Sequence, residues 1–262
     1  MPIVRSFGEP PPADSAARLD DGAAWRVPEE TPVAFVYNGR NYAVMLATPL
    51  DLADFAVGFS LTERVVDAPD EIAAIDIHAS ERGVEFRIGI EAARLERFDV
   101  RQQRRNIVGR TGCGVCGLEN AETFFETLPR VAEEKQKVGA AALARALNEL
   151  PSRQPLNERT RTVHAAAWAG LDGAVRLVRE DVGRHNALDK LLGALALAGA
   201  DMRDGFVLMS SRCSYEIVEK AARRGVRAVA AISAPTAFAL RKAREANIAL
   251  YARAADGFVE VA

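Results

Sequence analysis

Cysteine is scarce in this chain: Cys113, Cys116 and Cys213 are the only three among 262 residues. So sparse and odd a count excludes a disulfide-stapled secreted scaffold. In a reducing compartment a close thiol pair serves catalysis or metal binding instead. Net charge is nearly absent too, −2 from 34 cationic and 36 anionic side chains. That balance gives no ground for broad nucleic-acid or membrane-surface binding, though it leaves room for a local basic patch. No run approaches the roughly 18 apolar residues of a membrane span, and the opening MPIVRSFGEPPPADSAARLDD lacks the apolar core of a secretory signal. A cytoplasmic protein that contacts neither membrane nor nucleic acid is expected. Internal repeats and low-complexity tracts are missing as well.

What is present is ordinary soluble composition, 49% hydrophobic and 27% charged, enough for one large or two small domains with a buried core. Residues 1–24, rich in Pro, Asp and Ala from residue 6 on, read as a flexible N-terminal arm. TPVAFVYNGRNYAVMLAT shows two β-rich runs around Asn38-Gly39, a hairpin signal because that dipeptide tolerates positive φ. Asp51 is placed to cap a helix over DLADFAVGFSLTERV. A second hairpin, IAAIDIHA and VEFRIGI, turns at Arg82-Gly83. Residues 25–108 are thus expected to form an α+β portion built on hairpins, followed by a mobile loop at 109–117.

From residue 118 to 262 an α/β portion is expected. LENAETFFETLPRVAEEKQ and VGAAALARALNEL read as helices, with Pro151 and Pro155 marking a joint. RTVHAAAWAG and AVRLVRE form a hairpin around Leu171-Asp172-Gly173. ALDKLLGALALAG, SYEIVEKAARRG and PTAFALRKAREAN then alternate as helices with the strands GFVLMSS, VRAVAAIS and NIALYA. Pro235 suits a first helical turn. Short apolar strands between amphipathic helices imply a largely parallel sheet covered by helices.

The thiol pair lies in GRTGCGVCG, residues 109–117. Gly109, Gly112, Gly114 and Gly117 supply backbone freedom that regular structure would waste. Arg104, Arg105 and Arg110 lie upstream and a helix start is expected at Leu118. Both features favour thiolate over thiol. Three chemistries compete: metal binding, dithiol redox exchange and carriage of a group on sulfur. A structural zinc site needs four ligands. Only Cys213, His78, His164 and His185 could complete one, all singly placed. A thioredoxin-like reading wants the pair opening a helix in a βαβ setting, which the upstream hairpins do not provide. Group carriage fits best, with a cofactor-binding chaperone and a zinc-site protein as alternatives.

Two stretches point to an anion site. REDVGRHNALDK gathers Arg179, Arg184, His185 and Lys190 before a helix, with Asn186 and Asp189 in a capping-box relation. LMSSRCSYEIVEK ends a strand at Ser210-Ser211, holds Arg212 and Cys213 in the turn and offers Ser214 as a cap. Ligands of open α/β sheets sit at the carboxyl ends of strands. ISAPTAF repeats that geometry with Ser233 and Thr236. Cys213 itself reads as a small buried filler.

GRTGCGVCG, VHAAAW, EDVGRHNALDKLLG, SSRCSYEIVEKAARRGV and ISAPTAFALRKARE, in this order, resemble the formate dehydrogenase accessory sulfurtransferase family (FdhD/NarQ). The resemblance runs from about residue 30 to 253. It implies a cytidine-deaminase-like mixed sheet, a homodimer and a sulfurtransferase. Such a protein takes persulfide sulfur from a cysteine desulfurase and passes it to the molybdenum bis(molybdopterin guanine dinucleotide) cofactor for the formate dehydrogenase apoenzyme, the cofactor being a bound substrate. Cys113 and Cys116 match the family's sulfur-handling pair, with Cys113 at the persulfide position. The family's cofactor-binding segment falls on Tyr251, Ala252, Arg253, Ala254, Ala255 and Asp256, where LYARAADG is shorter than the family pattern. Arg179, Arg184, His185, Ser211 and Arg212 are the expected pyrophosphate contacts. A zinc deaminase on the same fold would need His-x-Glu. His164 is followed by two alanines, which speaks against deamination.

Overall fold

The computed structural model describes residues 1–18, 22, 24–94, 126–132, 137–255 and 257–262. The expected mobile loop 109–117, both of its cysteines, and Asp256 lie outside the described residues. The architecture is mixed α/β, two sheets joined through a pair of helices.

The first sheet has strand order β1-β6-β7-β4-β5, built from Ile3–Phe7, Ile72–Ser80, Gly83–Ile90, Thr31–Tyr37 and Arg40–Ala47. Asn38 and Gly39 both take positive φ, 47° and 81°, and close the β4–β5 hairpin as their sequence dictates. Helix α1 (Leu52–Thr62) lays an aromatic cluster on one face. Phe35 stacks on Phe59 at 4.0 Å and meets Phe86 edge-on at 5.0 Å. Each such ring contributes roughly 1.5–3 kcal/mol by burial.

The second sheet has order β13-β12-β11-β10-β8-β9, from Gly257–Glu260, Ala249–Ala254, Ala228–Ala231, Gly205–Met209, His164–Gly170 and Val175–Asp181. β10, β11 and β12 pair in parallel; β8, β9 and β13 pair antiparallel at the flanks. The sheet is therefore mixed, where alternation of strands and helices implied a largely parallel one. The β8–β9 hairpin supplies strands with no crossover helix. Helices α4 (Arg184–Leu197), α5 (Tyr215–Arg223) and α6 (Ala237–Ala246) follow β9, β10 and β11. They bury one face, around Trp168, Val207 and Leu250. Helix α2 (Ala140–Glu149) packs against the other, around Phe206, Leu208 and Tyr251.

Several local expectations are corrected. Residues 1–18 are not a loose arm: β1 pairs in parallel with β6, Arg5 binds Asp76 at 2.6 Å, and Phe7 stacks on His78. β2 (Asp14–Arg18) and β3 (Ala24–Pro28) form a separate hairpin. Asp14 there receives Arg26 and Arg159, whose hydrogen bonds hold its carboxyl well below the usual carboxylate range. Mostly exposed five-residue strands carry little apolar alternation, so the pattern hid them. Residues 126–132 are not helical. Their backbone is bound by the α6 region instead, Lys242 donating to Glu126 O, Leu128 N to Glu245 and Asn247 to Ala132 O. The Pro151–Pro155 joint carries a 3-10 turn and the short helix α3 (Pro155–Thr160).

Gly58 on α1 and Gly193 on α4 explain how the sheets join. A Cβ on Gly58 would stand 1.7 Å from Asp189 O, and one on Gly193 would stand 2.0 Å from Asp54 O. Glycine inside a helix costs about 1 kcal/mol against alanine. Here the absent side chains let two backbones touch.

Candidate functional site

The carboxyl ends of β9, β10, β11 and β12 and the start of β8 fall on one edge of the second sheet, because β8 runs antiparallel between β9 and β10. Asp181 lies opposite His164, and Ser210 Oγ accepts from Ala165 N at 2.7 Å. This edge collects His164, Arg184, His185, Ser211, Arg212 and Arg253.

Helix α4 starts earlier than expected, at Arg184, with Gly183 as the cap position and no side-chain cap. The capping box is absent. Asn186 donates to Leu46 O at 2.8 Å and to Asp181 at 3.0 Å, while Asp189 turns to Lys220. Arg184 and His185 therefore sit in the helix's first turn. The Arg184 Nε is buried with no hydrogen-bond partner among the described residues. His185 Nε2 lies 2.9 Å from Glu216 Oε2 and 3.3 Å from Ser214 Oγ. Ser214 holds the cap position of α5 but spends its hydroxyl on His185, not on the helix. Burial, then the charges of Arg184 and His185, depress His164 below the ordinary imidazole value.

Asp181 anchors this edge from beneath. Its Oδ1 accepts from Gly183 N and Asn186, and its Oδ2 accepts from Thr48 N and pairs with the fully buried Lys190 at 2.7 Å. Lys190 also donates to Thr48 O at 2.8 Å, so the clip ties β9, α4 and the first sheet together. A second buried pair, Asp189–Lys220 at 2.8 Å, receives Thr62 of α1. Burial works against the Lys220 charge, yet Asp189 and Glu63 outweigh it and hold the ammonium above its ordinary value.

The expected site residues separate into two groups. Arg184, His185, Ser211, Arg212 and Arg253 share the edge; Arg212 and Arg253 are exposed, and Ser211 is buried with its hydroxyl donating to Arg212 O. Arg179 does not join them. Its Nη2 lies 2.7 Å from Asp54 and its Nη1 donates to Val178 O, so it fastens β9 to α1. Tyr251 turns into the core beneath α2, on the face away from α4, α5 and α6, where its hydroxyl accepts from Val138 N at 3.0 Å. Ala252 is buried beside it, and Ala254 and Ala255 are exposed. Tyr251 and Arg253 share a strand face, but Arg253 lies beyond the last β11 partner, Ala231↔Ala252, where the cover of the sheet ends. Cys213 is fully buried and burial pushes its thiol up to about 12, as a filler requires.

Sequence reasoning does not single out Glu216, and it considers His164 only as a possible zinc ligand and for the glutamate it lacks, not as part of an anion site. The signal for Glu216 was an acidic residue one turn before Lys220 on a helix face that turns out to be buried. His164 reaches the edge only through strand pairing.

The arrangement defines a mixed α/β protein with a cationic strand-end edge suited to a phosphate-bearing ligand. A sequence profile of the FdhD/NarQ family matches residues 28–261. The chain belongs to that family. It is 51% identical over 252 residues to the sulfur carrier protein FdhD of Chromobacterium violaceum, covering 94% of this chain and 91% of that one. It is 49% identical over 230 residues to the sulfur carrier protein FdhD of Xanthomonas campestris pv. campestris, covering 88% and 81%. A crystal structure from Desulfotalea psychrophila, described as a candidate formate dehydrogenase accessory protein, shares the fold with a TM-score of 0.69. It is 23% identical and overlaps 95% of this chain and 94% of that one. No helix among the described residues is long and apolar enough to cross a membrane.

Proposed function

We propose that this chain is a cytoplasmic sulfur carrier that serves formate dehydrogenase. The observation that carries the reading is membership of a family whose curated relatives, about half identical to this chain, are named sulfur carriers. Two features of the chain support it. Cys213 is sealed in the core, which leaves Cys113 and Cys116 as the thiols for sulfur chemistry. The cationic edge suits the pyrophosphate of a guanine-dinucleotide molybdenum cofactor, which is the substrate in this reading.

The Cys113 thiolate attacks the terminal sulfur of a cysteine desulfurase persulfide. The donor's S–S bond breaks, its cysteine leaves as thiolate with the electron pair, and Cys113 becomes the persulfide. Two routes lead onward. Cys116 accepts the sulfur as a relay; or Cys116 attacks the Cys113 sulfur, releasing hydrosulfide to the molybdenum centre and leaving a Cys113–Cys116 disulfide for a cellular dithiol to reduce. Arg184, Arg212 and Arg253 bind the phosphates of the bound cofactor.

Intact-mass measurement tests the reading. After incubation with a desulfurase and cysteine, the protein gains one sulfur atom that reduction removes, and Cys113→Ala gains none. A protein that binds guanine nucleotide but never takes up sulfur is a cofactor chaperone instead. Equal sulfur uptake by Cys113→Ala refutes the carrier role of that thiol.

A further inference from the structure

The geometry points to Glu216 as a positioning residue that fixes the tautomer of His185 and favours its protonation, coupling capture of a phosphate-bearing anion to uptake of a proton. This deepens the proposed function and rests on it.

Glu216 Oε2 and Ser214 Oγ approach the same nitrogen of His185, Nε2, at 2.9 and 3.3 Å. An ionised carboxylate can only accept, so Nε2 carries the hydrogen and Nδ1 is the nitrogen left over. Nδ1 makes no hydrogen bond to the described residues. In the neutral ring Nδ1 is an acceptor and opposes a phosphate oxygen. In the protonated ring it is a donor beside a cation.

The charges around the ring come from several elements. His164 on β8 interacts with the ring and Glu216 contacts it from α5, with Arg184 beside it on its own helix and Lys220 one turn beyond Glu216; Asp181 at the end of β9 acts on His164, and Asp189 lies one turn along α4. Among the carboxylates, Asp181 is committed to Lys190 and Asp189 to Lys220. Glu216 is therefore the carboxylate left to offset Arg184 beside the ring. Burial opposes its ionisation, but the hydrogen bond and charge of His185 prevail and hold its carboxyl below the ordinary value.

The parallel helices α4 and α5 make this placement rigid. His185 to Asp189 is one turn, and Glu216 to Lys220 is one turn, so His185–Glu216 and Asp189–Lys220 form two rungs of opposite polarity. The deeper rung, locked by Thr62, sets the register of the outer one. Both outer side chains are about nine-tenths buried, at 10% and 11% exposure. Few alternative rotamers are open to them.

GDP is the probe. Calorimetric titration across about pH 5.5–8.5, in buffers of different ionisation enthalpy, reads affinity and proton uptake together. The unaltered protein binds with uptake of a proton and loses affinity as pH rises. In Glu216→Gln that pH dependence is lost or weakened, and affinity at neutral pH drops roughly tenfold. Imidazole 15N spectra of the unaltered protein, simplified by its three histidines, show His185 with hydrogen on Nε2. Superimposable profiles for the two proteins, or hydrogen on Nδ1 alone, overturn the inference while the anion site stands. Absence of GDP binding at every pH overturns the site and the inference together.

Discussion

The two sheets reach a stable core by different means. The first stacks large rings, Phe35, Phe55, Phe59 and Phe86, under one helix. The second spends alanine on its strands, at 165–167, 169, 228, 230, 231 and 249, and covers both faces with helices. Bulky rings tolerate one-sided cover because each buries 150–250 Å² alone. Alanine strands bury little each, and become stable only when helices approach from both sides. The second sheet thereby gains four strand ends held in close register, and the cationic edge is built there. The first sheet contributes no cation to it. Its role is to brace that edge, through Asp54, Thr48 and Thr62.

That division of labour can be broken, and the largest effect is expected at the buried clip. Lys190→Met leaves the Asp181 carboxylate buried without its cation and should cost about 3–5 kcal/mol. Urea unfolding followed separately by Trp168 on the second sheet should show the loss; a cost below about 1 kcal/mol would mean the sheets do not depend on the clip. Gly58→Ala comes next, at roughly 1–3 kcal/mol, since the methyl meets the backbone of Asp189 rather than a side chain that can move. A neutral result in thermal unfolding would place the helix contact elsewhere.

Smaller effects sharpen the contrast between bracing and binding. Arg212→Ala should weaken GDP binding about tenfold while leaving stability within about 0.5 kcal/mol. Arg179→Ala should do the reverse, with affinity unchanged and the melting midpoint lowered. If both variants lose affinity alike, the assignment of Arg179 to bracing fails. The smallest effect is at His164. Its imidazole is depressed in the folded protein, so the unfolded chain binds more protons and stability falls as pH drops through about 6.5 toward the folded value. His164→Gln should flatten that slope slightly in acid-titrated unfolding curves. An unchanged slope assigns it to another group.

The hairpins at Asn38-Gly39, Arg82-Gly83 and Leu171-Asp172-Gly173 were legible because turn chemistry is local. The helices after β9, β10 and β11 were legible because amphipathic spacing is local too. β1, β2 and β3 were not, since short exposed strands are defined by their partners. The same reason divided the site. Arg184, His185, Ser211 and Arg212 follow strand ends, a position that the alternation of strands and helices exposes. Arg179 and Tyr251 lie within strands, where the side on which a residue emerges depends on pairing that no local pattern reports.

By itself the sequence determined the family and the turns and helices that nearest-neighbour energetics can specify. Only the tertiary structure decided which cations remain at the edge and which are consumed as braces, and it alone set Glu216 against His185. Ion pairing falls off over a few ångströms of space, and helices packed side by side bring together charges that the chain keeps about 30 residues apart.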